Sequence, residues 1–256
     1  MAGWESATDA DLRQPPSGLP GLGGLTLVVD RNSSVCDQVH AVLRKAIVEV
    51  RLMPNERISE NSICKQFSVS RTPVRAAIQR LAEEGLVDVS PQRGSFVAPL
   101  RLETLQDSHF VRRSLEVALL RETVAVWTPE MSAEMRDQIA AQERLVAADD
   151  PEGFLLEDDR FHRTLAGYSG REGVWSAIQA AKTPLMRFHR YWANRHRLFD
   201  VLREHRAVID ALDAGDAAAA EKALALHLDM VFVIFGQMTP EEQARLPFEV
   251  PARMAP

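Results

Sequence analysis

Three apolar stripes in the C-terminal half of this chain are each interrupted by a side chain able to bind a metal. Leu155, Asp158, His162 and Leu165 are spaced three, four and three residues apart, which puts them on one face of a helix. Leu202, His205, Ile209 and Leu212 repeat the spacing, and Leu224, His227, Leu228 and Val231 give a third stripe. A lone histidine on such a face is ordinarily a core residue with a satisfied hydrogen bond. Three such helices, one also carrying a carboxylate, ask for more. A buried Asp158 without a partner costs several kcal/mol or is forced neutral. A divalent cation resolves that cost for Asp158, His162, His205 and His227 together, and three imidazoles with one carboxylate suit zinc, nickel or manganese. An Asp–His hydrogen-bonded cluster without metal is the competing arrangement.

Such a site has two further uses. Open coordination can activate water, as in a metal-dependent hydrolase, or the metal can simply hold helices together. The chain has no HExxH and no paired Glu-x-x-His, and Asp159 points away from Asp158 on its helix. No general base stands beside the candidate ligands.

A different chemistry lies nearer the N-terminus. From Asn61 to Ala82 there are Lys65, Arg71, Arg75 and Arg80 and no acid, in a chain of formal net charge −6. A local cationic surface on an acidic protein points to phosphate. A helix starting at Ser70, Arg71, Thr72 and Arg75 offers donors to phosphates and guanidinium forks to guanine edges. Arg93 and Gly94 suit the tip of a wing that follows the DNA backbone, because glycine allows close approach. The plainer alternative is a solvated cationic face.

The elements that position these groups follow from punctuation. At 256 residues, 46% hydrophobic and 26% charged, the chain has the length of two modest domains. Residues 1–30 form a tail rich in Pro and Gly, although Leu25 to Val29 could form a strand. A helix from Ser33 or Ser34 ends before Met53-Pro54-Asn55, a second opens at Ser59-Glu60-Asn61, and a third follows Val69-Ser70 and ends at Gly85. Residues 86–89 and 95–97 make a hairpin, so 31–98 read as a winged helix-turn-helix and 99–104 as a linker. Residues 105–240 read as six antiparallel helices, at 105–127, 129–148, 151–169, 172–194, 198–214 and 216–237, before a tail at 241–256. The fold class expected is mainly α, a winged helix-turn-helix followed by an all-α bundle. No apolar run approaches the ~18 residues of a membrane span and no signal peptide opens the chain, so a cytoplasmic location with no membrane partner is expected. Cys36 and Cys64 fit no disulfide framework or metal spacing and read as reduced thiols.

Residues Val35 to Val97 resemble the N-terminal domain of the GntR family of bacterial transcription regulators. The matching residues are Pro54, Ile58-Ser59-Glu60, Val69-Ser70-Arg71-Thr72-Pro73-Val74-Arg75, Leu81, Glu84-Gly85-Leu86-Val87 and Gly94-Ser95-Phe96-Val97. The resemblance implies operator contact by Arg71, Thr72, Arg75 and Gly94. Two departures concern Val50 and Asn55, where the family usually has glycine, and Ala76, where it usually has Glu. The missing acid is expected to loosen the hold on Arg75.

Residues 105–235 resemble the FCD effector domain of the FadR-like branch. Its ligand motif D-x-x-F-H is Asp158-Asp159-Arg160-Phe161-His162 here, and its later histidines are those of Glu204-His205-Arg206 and His227-Leu228. Six helices would place the chain with the shorter, VanR-like members. The resemblance implies a metal at the floor of a cavity that binds a small carboxylate effector. It also implies a homodimer reading a palindromic operator, in the role of a repressor. Arg112-Arg113-Ser114-Leu115-Glu116 matches the family's R-R-x-L-E run, making Arg112 and Arg113 candidate effector-binding residues. Arg112 could equally pair with Glu116 at i+4. Arg160, Arg163, Arg187, Arg190, Tyr191 and Trp192 are further pocket candidates.

Overall fold

The structure is a computed structural model, described over residues 21, 24–27, 33–192, 195–237 and 248–249. The chain divides into two compact units, Met1–Ala98 and Pro99–Pro256. Most of both expected tails, together with Val28, Val29 and the side chains of Tyr191 and Trp192, lies outside the described residues; residues 25–27 carry no strand.

In the first unit, helix α1 (Val35–Val48) begins at Ser34, whose side chain accepts from the Asp37 amide at 3.1 Å. Helix α2 (Glu60–Phe67) is capped likewise by Ser59, and the turn into α3 (Arg71–Glu83) runs through Ser68 at φ 54°. Leu43, Ile47, Ile63, Val74, Ile78 and Leu81 close the core between these helices. Strands β2 (Val87–Ser90) and β3 (Gly94–Val97) form the hairpin, with Val87 opposite Val97 and Ser90 opposite Gly94. A third strand, β1 (Arg57–Ile58), pairs with β3 on its other edge. Two residues carry no periodicity, so β1 was not visible in sequence.

The turn after α1 keeps the shape a glycine would favour. Val50 and Asn55 both adopt positive φ, 55° and 66°. Arg51 N–H donates to Ala46 O at 2.9 Å, and Asn55 N–H donates to Val97 O at 2.9 Å, so the loop is tied to the helix behind it and to the sheet ahead.

The second unit starts with β4 (Leu100–Arg101), which pairs in parallel with β5 (Phe248–Glu249) where a linker was expected. Seven helices follow among the described residues: α4 (Leu102–Val124), α5 (Pro129–Ala147), α6 (Pro151–Gly167), α7 (Glu172–Ala181), α8 (Thr183–Trp192), α9 (Arg195–Asp213) and α10 (Ala217–Gln237). The expected single helix over 172–194 is therefore two. It breaks at Lys182 because Pro184 has no N–H and its ring obstructs the preceding turn. With seven helices, the count no longer argues for the shorter, VanR-like group. Helix α9 packs on α10 and α5, α5 on α6, and α4 on α10. Met135, Phe154, Phe161, Leu165, Leu202, Ile209 and Leu224 fill the space between them. No helix among the described residues is long and apolar enough to cross a membrane.

Candidate metal centre and cationic helix

Helix α6 carries Asp158 and His162 one turn apart, α9 carries His205 and α10 carries His227. One ligand atom from each lies within 4.8 Å of all the others. The three histidines are buried and Asp158 is partly so. His162 Nε2 is 3.1 Å from His227 Nε2, and Asp158 Oδ1 is 3.5 Å from His205 Nε2 and 4.0 Å from His162 Nε2.

The groups at the opposite ring nitrogens favour one tautomer for each ring. His162 Nδ1 lies 2.8 Å from Glu116 Oε2, and His227 Nδ1 lies 2.7 Å from Glu204 Oε2. An ionised carboxylate only accepts, so His227 Nδ1 carries the proton. The ion-pair approach of Glu116 favours the same tautomer at His162, although that contact falls outside hydrogen-bond geometry. His205 Nδ1 lies 2.9 Å from Gln142 Oε1. The Gln142 amide nitrogen donates to Glu157 O at 3.1 Å, which turns its oxygen toward His205 and makes that Nδ1 a donor too. All three Nε2 lone pairs therefore converge on Asp158. The His162–His227 contact then joins two acceptors, and His205 Nε2 is buried with no hydrogen-bond partner. Lone pairs at that separation repel, and a cation is the chemistry that relieves them; the outward Nδ1–H bonds are how metal-binding imidazoles are held. The donor set fits a divalent metal.

The electrostatics agree. Burial pushes His205 well below its ordinary value, reinforced by His227. Burial opposes ionisation of Asp158, while the three imidazoles, when protonated, and Arg112 hold it below the usual carboxylate range. Burial likewise opposes ionisation of Glu116, yet Arg112 and His162 bring it down to about 2.

A cavity of about 50 Å³ adjoins Asp158 and His227, with Arg112 in its wall. Arg112 lines the cavity and also makes the i+4 pair with Glu116. Its Nε donates to Glu116 Oε1 at 2.7 Å, and Asp158 is a second acid near its charge. Arg113 is not brought to the cavity: it is exposed and donates to Asp229 at 2.9 Å. Of the other pocket candidates, Arg190 lines a second cavity of about 30 Å³ beside Arg112, whereas Arg160 and Arg163 line an open groove and Arg187 lines neither cavity.

Sequence reasoning missed Lys182, His189 and Arg197, which also reach these cavities. Burial and Arg112 bring Lys182 down to about 8 and His189 down to about 3. Asp159 pairs with Lys182 and accepts from Gln179 Nε2 at 3.0 Å, and it lines the smaller cavity together with Asp158. Gln142 had no signal at all, since α5 carries no histidine.

In the first unit, Ser70 sits at the N-cap of α3 without using its side chain as a cap, and Arg71, Thr72 and Arg75 stand exposed on the turns that follow. Arg75 Nε donates to Glu60 at 2.9 Å, so an acid on α2 takes the place of the family's acid at Ala76. Lys65 is exposed on α2. Arg80 lies toward the far end of α3 and pairs with Asp37 of α1 at 2.5 Å. Arg93 is exposed at the hairpin turn, and Gly94 has φ 106°, a conformation L side chains avoid.

Residues 36–97 match the family described as bacterial regulatory proteins, gntR family, and residues 107–230 match the FCD domain. A protein from Streptomyces ambofaciens, described as an uncharacterized HTH-type transcriptional regulator in unstable DNA locus, is 35% identical over 195 residues, 76% of this chain and 82% of its own. The HTH-type transcriptional repressor RspR of Escherichia coli is 29% identical over 204 residues, 77% of this chain and 87% of its own. Among solved structures, a putative transcriptional regulator GntR from Rhodococcus sp. RHA1 matches with TM-score 0.66 at 28% identity, over 81% of this chain and all of that one. E. coli McbR/YncC matches with TM-score 0.62 over 80% of this chain and 98% of its own; at 21% identity that likeness concerns the fold.

Proposed function

We propose, for a chain that belongs to the GntR family of bacterial regulatory proteins and carries an FCD domain, that it is a metal-dependent sensor of a small organic acid. The chain is a transcription regulator and not an enzyme, as its relatives are. The observation that carries the metal reading is the convergence of three Nε2 lone pairs on Asp158. Asp158, His162, His205 and His227 would hold a divalent ion, zinc, nickel or manganese by donor type, and Glu116, Gln142 and Glu204 orient the rings. The ion supplies a positive charge facing the cavity. Arg112 offers its terminal amino groups to the acid's carboxylate, and Arg113 is left to the surface.

On the DNA side, Ser70, Arg71, Thr72 and Arg75 would enter the major groove, with Lys65 beside them and Arg93 and Gly94 following the backbone. Arg80, tied to Asp37, would contribute charge more than contact. A homodimer reading a palindromic operator in the cytoplasm completes the proposal, with repression favoured by the name of the E. coli relative. The acid alters DNA binding only through unequal affinity for two arrangements of the dimer.

Metal analysis of the purified protein beside a His205→Ala, His227→Ala variant tests this. About one ion per chain, lost in the variant, is expected, along with release of promoter DNA by a small acid. No ion in either protein after soaking removes the metal reading. An ion whose removal lowers the melting temperature, with no acid affecting DNA binding, assigns it a purely structural role.

A further inference from the structure

The space beside the histidines has two lobes that share Arg112, Asp158 and His189. The larger, about 50 Å³, is walled mainly by apolar side chains, among them Phe154, Phe188, Val231 and Ile234. The smaller, about 30 Å³, reaches Lys182, Asp159 and Arg190. Together they hold the volume of a few waters, so the occupant is short.

The charges around this space are unequal. Arg112, Arg197 and Lys182 reach it as cations. Asp158 and Asp159 also reach it, and Glu116 and Glu204 stand behind Arg112 and Arg197 as their ion-pair partners. Arg190 is cancelled by Glu152, the Arg113–Asp229 pair beside His109 is neutral, and His189 carries no charge at neutral pH. Three cations thus face four carboxylates, and the empty space is negative. A divalent ion on the histidines reverses the sign to one positive charge. One carboxylate neutralises that charge, and a second would be buried without a partner.

We infer that the effector is a singly charged short-chain acid with an apolar tail, admitted only when the metal is bound, and that dicarboxylates and sugar acids are turned away. The inference rests on the proposed function above and narrows it to a ligand class. The carboxylate lies between Arg112 and the metal, and the tail runs along Phe188, Val231 and Ile234.

Calorimetric titration of the full-length, metal-loaded protein with acetate, butyrate, succinate, citrate and gluconate is the test. Butyrate is expected to bind about tenfold tighter than acetate, for two extra buried methylenes, and at least about tenfold tighter than the other three. Its heat should vanish on chelation and return on reloading. Asp159→Asn removes one negative charge and should move the preference toward succinate by about tenfold; Lys182→Met removes one positive charge and should weaken butyrate. The acid series needs only the wild-type protein, so it decides the matter even if a variant does not fold. Tighter binding of succinate, citrate or gluconate than of butyrate overturns the inference and leaves the proposed function standing, as does undiminished butyrate binding after chelation. If none of the five acids binds the loaded protein, the inference and the acid-sensing reading fall together.

Discussion

The two units present charge in opposite ways. In the helical unit, Arg112, Glu116, His162, His205 and Gln142 are buried and paired with one another on their outer sides, while His205 Nε2 is left without a partner. In the N-terminal unit, Arg71, Thr72, Arg75 and Arg93 stand in solvent with an apolar core beneath them. A buried polar network has to be complete, because each lost member leaves a partner desolvated and unpaired. An exposed cationic helix has no such obligation. Its side chains are free to bind without stabilising, and stability rests on Leu43, Ile63, Val74 and Leu81. Substitutions in the helical site should therefore affect folding and function together, and those on α3 should separate them.

Glu116 carries the largest expected effect. It touches both Arg112 and His162, so Glu116→Ala leaves a buried guanidinium and a buried imidazole without their acceptor. A loss of about 3–5 kcal/mol is expected in denaturant unfolding of the helical unit. A change under about 1 kcal/mol would mean that solvent reaches the site and that the contrast between the units is overstated.

Arg71→Ala is the counterpart on the exposed side. Operator binding should weaken by about 1–3 kcal/mol in a titration at fixed salt, with the melting temperature unchanged. Arg75→Ala should behave in the same way, and Glu60→Gln should weaken binding less, by releasing Arg75 from its 2.9 Å bond. If Arg71→Ala also lowers the melting temperature by several degrees, the site is not energetically separate from its core.

What could be read from sequence follows the same division. Asp158, His162, His205 and His227 were legible as a set because each interrupts an apolar helix face, spaced 3-4-3 on the first two helices and 3-1-3 on the last. Their outer partners were legible only beside a motif: Glu116 ends R-R-x-L-E and Glu204 precedes His205, whereas Gln142 reaches His205 from a helix with no signal. The break at Lys182 was written in Thr183-Pro184, but the apolar pattern on either side of it runs on as though one helix continued. Val50 hid a left-handed turn behind a residue that normally avoids one.

Lys182 gives the contrast a pH signature. Its folded value of about 8 lies below the 10.5 of a free lysine. Between those values the unfolded chain holds a proton the folded chain has shed, so stability should rise with pH there, by at most about 1.4 kcal/mol per pH unit. Below about pH 8 the charged, buried ammonium is carried at a cost, partly offset by Asp159. Lys182→Met should flatten the rise between pH 8 and 10.5 in a series of melts, while Arg71→Ala leaves it intact. A wild-type profile flat over that range would place Lys182 in water.

The smallest effect expected belongs to Val50. A β-branched side chain at φ 55° costs about 1–2 kcal/mol relative to glycine, and glycine returns about 0.4–1 kcal/mol of that through the freer unfolded chain. Val50→Gly should therefore stabilise the N-terminal unit by about 0.5–1 kcal/mol, a rise of a few degrees in its melting temperature. The turn holds its shape through Arg51 N–H to Ala46 O, a backbone bond that the substitution does not touch. DNA affinity should accordingly stay constant while stability rises, the converse of Arg71→Ala. A fall in melting temperature would show that the half-buried Val50 side chain contributes more by packing than its backbone loses by strain.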